Sequence, residues 1–497
     1  MPHSVRAWAG KTYIRADGSV DPPTAPIALN GNLYTLTDDV DGSIVVEKDG
    51  VTIDGAGKIL QGVERTEIGL SLSGRIGVTI RNMIVKTFNY GIYLDSSNQN
   101  TITGITLTDN NDGITLASSL TNTVSGNTIT SNVLEAVALY DSSGNTISGN
   151  TMTENCDGVY LYYSSSNAIS GNTITGSIYA GISMFSSSSN TIFSNEITNN
   201  AAGVSTEDSS NNKIFHNRLD NDEQAFPTGS FDTWDDGYPS GGNYWTDYAG
   251  VDVWSGHGQS LPGSDGIGDS AYTVDSSNFD RYPLMDPYGS PPPSTHTLTI
   301  TPTPGGTTNP TTGTYNYRVD SIVPVAAIPD ANYTLDHWEL DSANCGVDNS
   351  TSVTMNSNHI LHAVFTGYMQ YTHDVAIASI EFLKTTIGEG YSMRINVSAA
   401  NQGYYPETFN VTIYANTTLI DSQILTLDNQ SSTKIVFIWQ TLGFVKAKYL
   451  INAYALPVAD EIDVQDNNLT SPTLSGLKMS VRAFAGLNLP VPEPKWT

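Results

Sequence analysis

Cysteine is almost missing from this chain of 497 residues: Cys156 and Cys345 are the only two, in distant parts of the sequence. Two such thiols cannot build a disulfide framework, so packing must hold the fold together. Basic residues are scarce as well, with 21 Lys and Arg against 50 Asp and Glu and a formal charge of −29. That field repels nucleic acid phosphates and anionic membrane surfaces, which excludes nucleic acid as an expected partner. No apolar run reaches the roughly eighteen residues that a membrane-spanning helix needs. Charged residues make up only 14% of the chain, so Ser, Thr, Asn and Gly supply most of the polar surface, as in exported proteins. The opening "MPHSVRAWAG" carries Val5, Arg6 and Ala7 in the small-x-small order of a leader cleavage site, without a hydrophobic stretch before it. It reads as the end of a truncated or re-initiated secretory leader.

What is present is repetition. Segments beginning at Gly77, Asn100, Asn122, Asn145, Asn167, Asn190 and Asn212 align without gaps at alternating steps of 23 and 22 residues. A fixed period of that size means a solenoid, and the length implies further domains beside it. Leucine-rich repeats need several Leu per unit, whereas most of these units hold one or none and are rich in Ile, Val, Thr, Ser, Asn and Gly. A parallel β-helix is therefore expected. Its inward columns read Ile80, Ile102, Val124, Ile147, Ile169, Ile192 and Ile214; then Ile84, Leu107, Ile129, Met152, Ile174, Ile197 and Leu219. A third runs Ile92, Ile114, Val137, Val159, Ile182 and Val204, followed two residues on by Leu94, Leu116, Leu139, Leu161 and Met184. Gly91, Gly113, Gly158, Gly181 and Gly203, with Ala136 as exception, mark one position of tight or left-handed backbone. Asn82, Asn127, Asn150, Asn172, Asn195 and Asn217 mark another, where stacked amides hydrogen-bond at the ~4.8 Å strand spacing.

The coils resemble the right-handed parallel β-helix of pectate-lyase-like proteins and of NosD-like surface proteins, many of them archaeal. "YIRADGSVDPPTAPI" is similar to the opening of the archaeal type, and "WDDGYPSGGNYWTDYAGVD" with "SDGIGDSAYTVDSSNFDRYPLMDPYG" to its closing segment. The resemblance covers about residues 1–290 and implies the fold more than a function, because β-helices host lyases, hydrolases, adhesins and structural proteins. The copper role in the NosD name would need soft or imidazole ligands gathered in space, and the eight His are scattered.

After "PYGSPPPSTHT", whose prolines suit a semi-rigid spacer, come two all-β modules. Residues 297–368 resemble the divergent internalin B-repeat, with Trp338 and Phe365 as expected core. Residues 372–474 alternate in the manner of an Ig-like β-sandwich and resemble the CARDB domain through "HDVAI", "NQG" and "VQDNN". Residues 475–497 form an extended tail. The fold class is thus all-β: a right-handed parallel β-helix of 22–23-residue coils and two small β-domains. Asn-x-Ser/Thr acceptors occur at Asn332, Asn349, Asn396, Asn410, Asn416, Asn429 and Asn468, all beyond the coils, and glycosylation is expected there.

Three carboxylates, Asp112, Glu135 and Asp157, precede the turn residue in consecutive coils, hence stand ~5 Å apart. That is the geometry of a retaining glycosidase pair or of one edge of a calcium site; the simpler alternative is solvated turn residues. Between Asn100 and Asn212 there is no Lys, Arg or His, which argues against lyase chemistry on acidic sugars along this face. An outward aromatic column of Tyr140, Tyr162 and Phe185, with Tyr160 and Tyr163 nearby, suits either a glycan platform or a protein interface. Residues 231–290 hold ten Asp and one Lys or Arg. There Asp265 and Asp269 are candidate calcium ligands or else turn formers of the cap; no cofactor is required.

Finally, "SVRAWAG" at 4–10 returns as "SVRAFAG" at 480–486. A processing site repeated by duplication explains it; the sharper alternative is that one subunit's tail takes a strand site on the next, giving head-to-tail filaments. The expected protein is secreted and structural, at the cell surface, with copies of itself as partner. A polysaccharide-binding or polysaccharide-degrading β-helix is the rival.

Overall fold

The computed structural model describes residues 8–367, 372–445, 447–471 and the backbone of Lys478–Met479. Every element in it is a strand. Two compact units result: residues 1–328 with 335–364, and residues 329–334 with 365–497.

In the first unit the coils stack into sheets of 11, 11 and 10 strands, parallel except for one antiparallel strand at the end of two of them, with each coil strand pairing with those one coil away. Because pairing is parallel and in register, every residue lies on its counterpart, and the expected columns appear as fully buried ladders such as Ile80, Ile102 and Val124. Two expected members move by one residue. Val85, not Ile84, pairs with Leu107 and is buried. Asn82 stands at φ 53, beside Gly104, in the left-handed column that Gly126, Gly149 and Gly171 continue at φ 62 to 64. Met83 and Ile105 hold the places that Asn fills from Asn127 onward, and the Ile105 N–H donates to Asn127 Oδ1 at 3.0 Å. The glycine column serves close approach, not left-handed backbone: a Cβ on Gly113 would lie 2.5 Å from the Ala136 carbonyl oxygen.

Amide stacking is more extensive than one column. Asn127, Asn150, Asn172, Asn195, Asn217 and Asn243 form one chain, each Nδ2 donating to the next Oδ1 at 2.9 Å. A second runs from Asn100 to Asn212 and ends on Asp232. A third joins Asn110, Asn132 and Asn155. Each amide also binds backbone, so a polar group deep in the solenoid is fully satisfied by its own repeat.

The ends are closed. Antiparallel pairs, Thr12–Ile14 with Val20–Asp21 and Ile27–Asn30 with Leu33–Leu36, turn the first coil back on itself. At the other end Trp234 and Trp245 fill the last coil, and Trp245 Nε1 donates to the buried Asp280 at 2.8 Å. The B-repeat-like module follows directly. Its Trp338 and Phe365 are buried as expected. Arg318 forks onto Asp286 at 2.7 and 3.2 Å and its N–H donates to Ser264 Oγ, so the proline segment is bridged by contacts between cap and module.

The second unit is a β-sandwich. Strands Val375–Phe382, Ser392–Asn401 and Ser431–Gln440 form one sheet; Thr418–Leu427, Glu407–Ala415, Ile451–Ala455 and Asn468–Thr470 form the other. Alternate residues such as Ile395, Val397, Val411, Ile413, Phe437 and Trp439 meet in the core.

Candidate functional site

The three carboxylates head successive strands, Asp112–Ala117, Glu135–Tyr140 and Asp157–Tyr162, with Glu135 directly opposite Asp157. They are not solvated turn residues: Asp112 is 4% and Asp157 5% exposed, and Glu135 is half-buried. Repetition is the cause, since stacking places acid on acid and the coil on either side shields them. Asp157 is answered by protein, accepting the Ser183 hydroxyl at 2.5 Å and the Ala180 N–H at 3.2 Å. Asp112 Oδ2 has only a long contact to Thr115 at 3.4 Å. Asp112 Oδ1 and Glu135 Oε2 are buried with no donor from another side chain, which leaves the two carboxyls to each other.

Two facing carboxyls in that position share a proton. Burial, then the hydrogen bond with Asp112, then the charges of Asp112 and Asp157 push Glu135 up to about 8, so it is protonated at neutral pH. Burial also raises Asp157, against the pull of Ser183 and Ala180. The phenols of Tyr140 and Tyr160 are raised by burial first and by the charge of Glu135 next, with Asp112 adding to the first and Asp157 to the second.

The aromatic column stacks on itself. Tyr162 lies parallel to Phe185 with centroids 5.3 Å apart and to Tyr160 at 6.5 Å, while Tyr163 meets Tyr162 edge-on at 4.5 Å. The Tyr160, Tyr162 and Phe185 ring faces are thus turned toward each other along the solenoid, and Tyr163 is half exposed. Tyr90 and Tyr93, paired at 5.0 Å, stand two coils before Tyr140, with Thr115 and Ala117 in the coil between. They escaped the sequence reading, although Tyr90 stands in register with Asp112 and Tyr93 with Thr115 at the same 22-residue step. Ser183 was missed for the same reason.

Asp265 and Asp269 both lie in the cap, where they accept backbone N–H groups. Asp269 accepts the Val253 and Trp254 N–H groups, and Asp265 accepts those of Gly256 and Ile267, at 3.1 to 3.3 Å. Of the glycan acceptors, Asn332, Asn349, Asn416, Asn429 and Asn468 are exposed, while Asn396 and Asn410 are half-buried in sandwich strands. The leader-like residues 5–7 and the copies at 4–7 and 480–486 lie outside the described residues.

With this geometry, comparison with known proteins is informative. Residues 45–250 match the family described as "Periplasmic copper-binding protein (NosD)", and residues 296–368 the "Divergent InlB B-repeat domain". The parallel β-helix is therefore similar to the NosD family over residues 45–250, and the domain after it to the B-repeat family over residues 296–368. Among proteins of curated function, none matches it. Solved structures similar to parts of it include a CARDB domain from Pyrococcus furiosus in complex with di-metal ions (18% identity, TM-score 0.19, covering 23% of this chain and 99% of that one). Alginate lyase from a Paenibacillus species is similar at 14% identity and TM-score 0.30, covering 41% and 91%. Endopolygalacturonase I from Stereum purpureum is similar at 15% and 0.31, covering 40% and 87%.

Copper does not fit the residues present. His216 donates or accepts at Ser240 and stacks on Tyr288, His359 bonds Asp341, His362 bonds Thr301, and His373 bonds Glu407, each in a separate place. Among the described residues no three His, Cys, Asp or Glu side chains stand together as a finished metal sphere. Nor does any described helix have the length and apolarity to cross a membrane.

Proposed function

We propose that the protein works outside the cell as a surface protein that binds a neutral polysaccharide along the outer face of the strands from Tyr90–Asp95 to Ala180–Phe185. One observation carries this reading: the Asp112–Glu135 acid pair, answered mainly by each other and by a long Thr115 contact, close enough to the phenols of Tyr140 and Tyr160 for its charge to act on both. A fold gains nothing by burying such a pair, and perturbed acids gather where ligands bind. A protonated acid, a carboxylate and phenol hydroxyls together both donate to and accept from sugar hydroxyls. The absence of Lys, Arg and His from residues 100–212 selects an uncharged chain over a uronate. Exposed glycan acceptors and the periplasmic family description support an exterior location. Affinity electrophoresis with neutral and uronate polysaccharides tests the reading. Retardation by neutral polymers that falls at least tenfold in Glu135→Gln or Tyr160→Ala supports it; equal retardation by uronates, or none, refutes it. Release of reducing ends would place the site among glycoside hydrolases.

A second reading, head-to-tail self-assembly, is favoured by the place of the first copy of the repeated heptapeptide. Trp8–Ala9 is the terminal strand of an 11-stranded sheet, paired in parallel with Val40–Asp41, and Trp8 packs on the coil core. A segment with six of the same seven residues can take that seat in another copy. Oligomers by light scattering that vanish on deleting residues 475–497 support this; a monomeric full chain overturns it.

A further inference from the structure

The second unit holds an acid cluster of its own that the glycan reading does not use. Asp374 precedes the strand Val375–Phe382, and Asp466 with Asn467 precedes Asn468–Thr470, so both meet at one end of the sandwich, where the Ile377 N–H donates to the Asp466 carbonyl at 2.9 Å. Asp374 is 5% exposed and Asn467 fully buried, yet Asp374 Oδ1, Asp466 Oδ1 and Asn467 Oδ1 accept no hydrogen bond. Glu461 reaches the same place, accepting the Val375 N–H at 2.9 Å and the Val458 N–H at 2.8 Å. Burial first, then Asp466, Glu461 and Asp463 push Asp374 up to about 6. Asp466 feels Asp463 and Glu461 in turn. Among the described residues, Gln402 Nε2, on Asp466 Oδ2 at 3.0 Å, is the side-chain donor to these two aspartates. His373 turns away to Glu407 and Tyr405.

From this we infer that the sandwich binds a calcium ion between Asp374 and Asp466, with Asp463, Glu461 and the Asn467 amide oxygen as further ligands. Calcium takes six to eight oxygens in flexible geometry, from carboxylates, amides and water together, which is the donor set gathered here. No three of these acids stand close enough together in this structure to hold the ion, so its binding would have to draw the side chains in; a divalent cation turns their mutual repulsion into attraction to a common centre.

The test uses the full chain, with calcium chloride added by titration calorimetry and by thermal unfolding. Saturable binding in the range of about 10⁻⁴ to 10⁻³ M, typical of extracellular modules, is expected. It should raise the sandwich Tm by about 5 °C at ten times Kd, beyond any effect of NaCl at equal ionic strength. Asp374→Asn and Asp466→Asn each remove a repelling charge. In EDTA each variant should melt no lower than the parent, while losing the calcium response. A calcium response no larger than that of NaCl or magnesium, or variants that keep it in full, overturns the site.

Discussion

Both units bury acids, but they arrive at that state by opposite routes. In the β-helix, parallel in-register stacking lays each residue on its own kind, so amides complete one another while carboxylates collide. Asn172 is satisfied by Asn195 below it and itself accepts from Asn150, whereas Glu135 and Asp112 need a shared proton. In the sandwich, antiparallel strands bring unlike residues together, and Asp374 meets Asp466 only because two distant strands end side by side. The lesson is that a repeat multiplies whatever it contains, satisfaction and frustration alike, while a sandwich creates its conflicts one at a time.

Breaking the middle of an amide ladder should have the largest effect. Asn172→Ala leaves Asn150 without its acceptor and Asn195 without its donor, and costs about 3–5 kcal/mol as two or more buried polar groups lose partners. Chemical denaturation followed for both transitions checks this; the sandwich transition should not move. A sandwich transition that moved equally would mean that the two units do not unfold separately.

The acid pair gives a smaller effect with a definite sign. Glu135 is pushed up to about 8 in the folded chain from its ordinary 4.5, so the stability it allows is fully present below 4.5 and is lost as pH rises through 8. Glu135→Gln should therefore stabilise the β-helix at pH 9, by about 1 kcal/mol once partial solvent screening is allowed for, and leave it unchanged near pH 4. Unfolding midpoints across that range check the sign. A parent protein whose β-helix grows more stable between pH 6 and 9 contradicts the shared-proton account.

Glycosylation should affect stability least. Intact-mass and peptide mapping of protein from a glycosylating host should find glycans on Asn332, Asn349, Asn416, Asn429 and Asn468 and none on Asn396 or Asn410, which are half-buried within strands. Replacing an exposed acceptor such as Asn416 by Gln should change stability by less than about 0.5 kcal/mol. Glycans on Asn396 or Asn410 would mean that the sandwich strands are accessible before folding is complete.

Solenoid neighbours sit at a constant sequence separation, so the period alone determined the parallel sheets, the inward columns and the rank of Asp112, Glu135 and Asp157. Alternation and turn residues likewise made the two terminal β-modules legible. The errors were local. Asn82 stood one residue from an asparagine column, and Ile84 one from an apolar one, because an Asn or Ile fits either place in a pattern while only one place points inward. Depth was decided by the tertiary structure: an acid before a turn glycine reads as exposed until the coils above and below cover it. So was the meeting of Asp374 with Asp463 and Asp466, since sandwich contacts have no fixed separation along the chain and arise only when strands from both sheets end at one edge. Burial and long-range proximity belong to the packed molecule; period and composition belong to the chain.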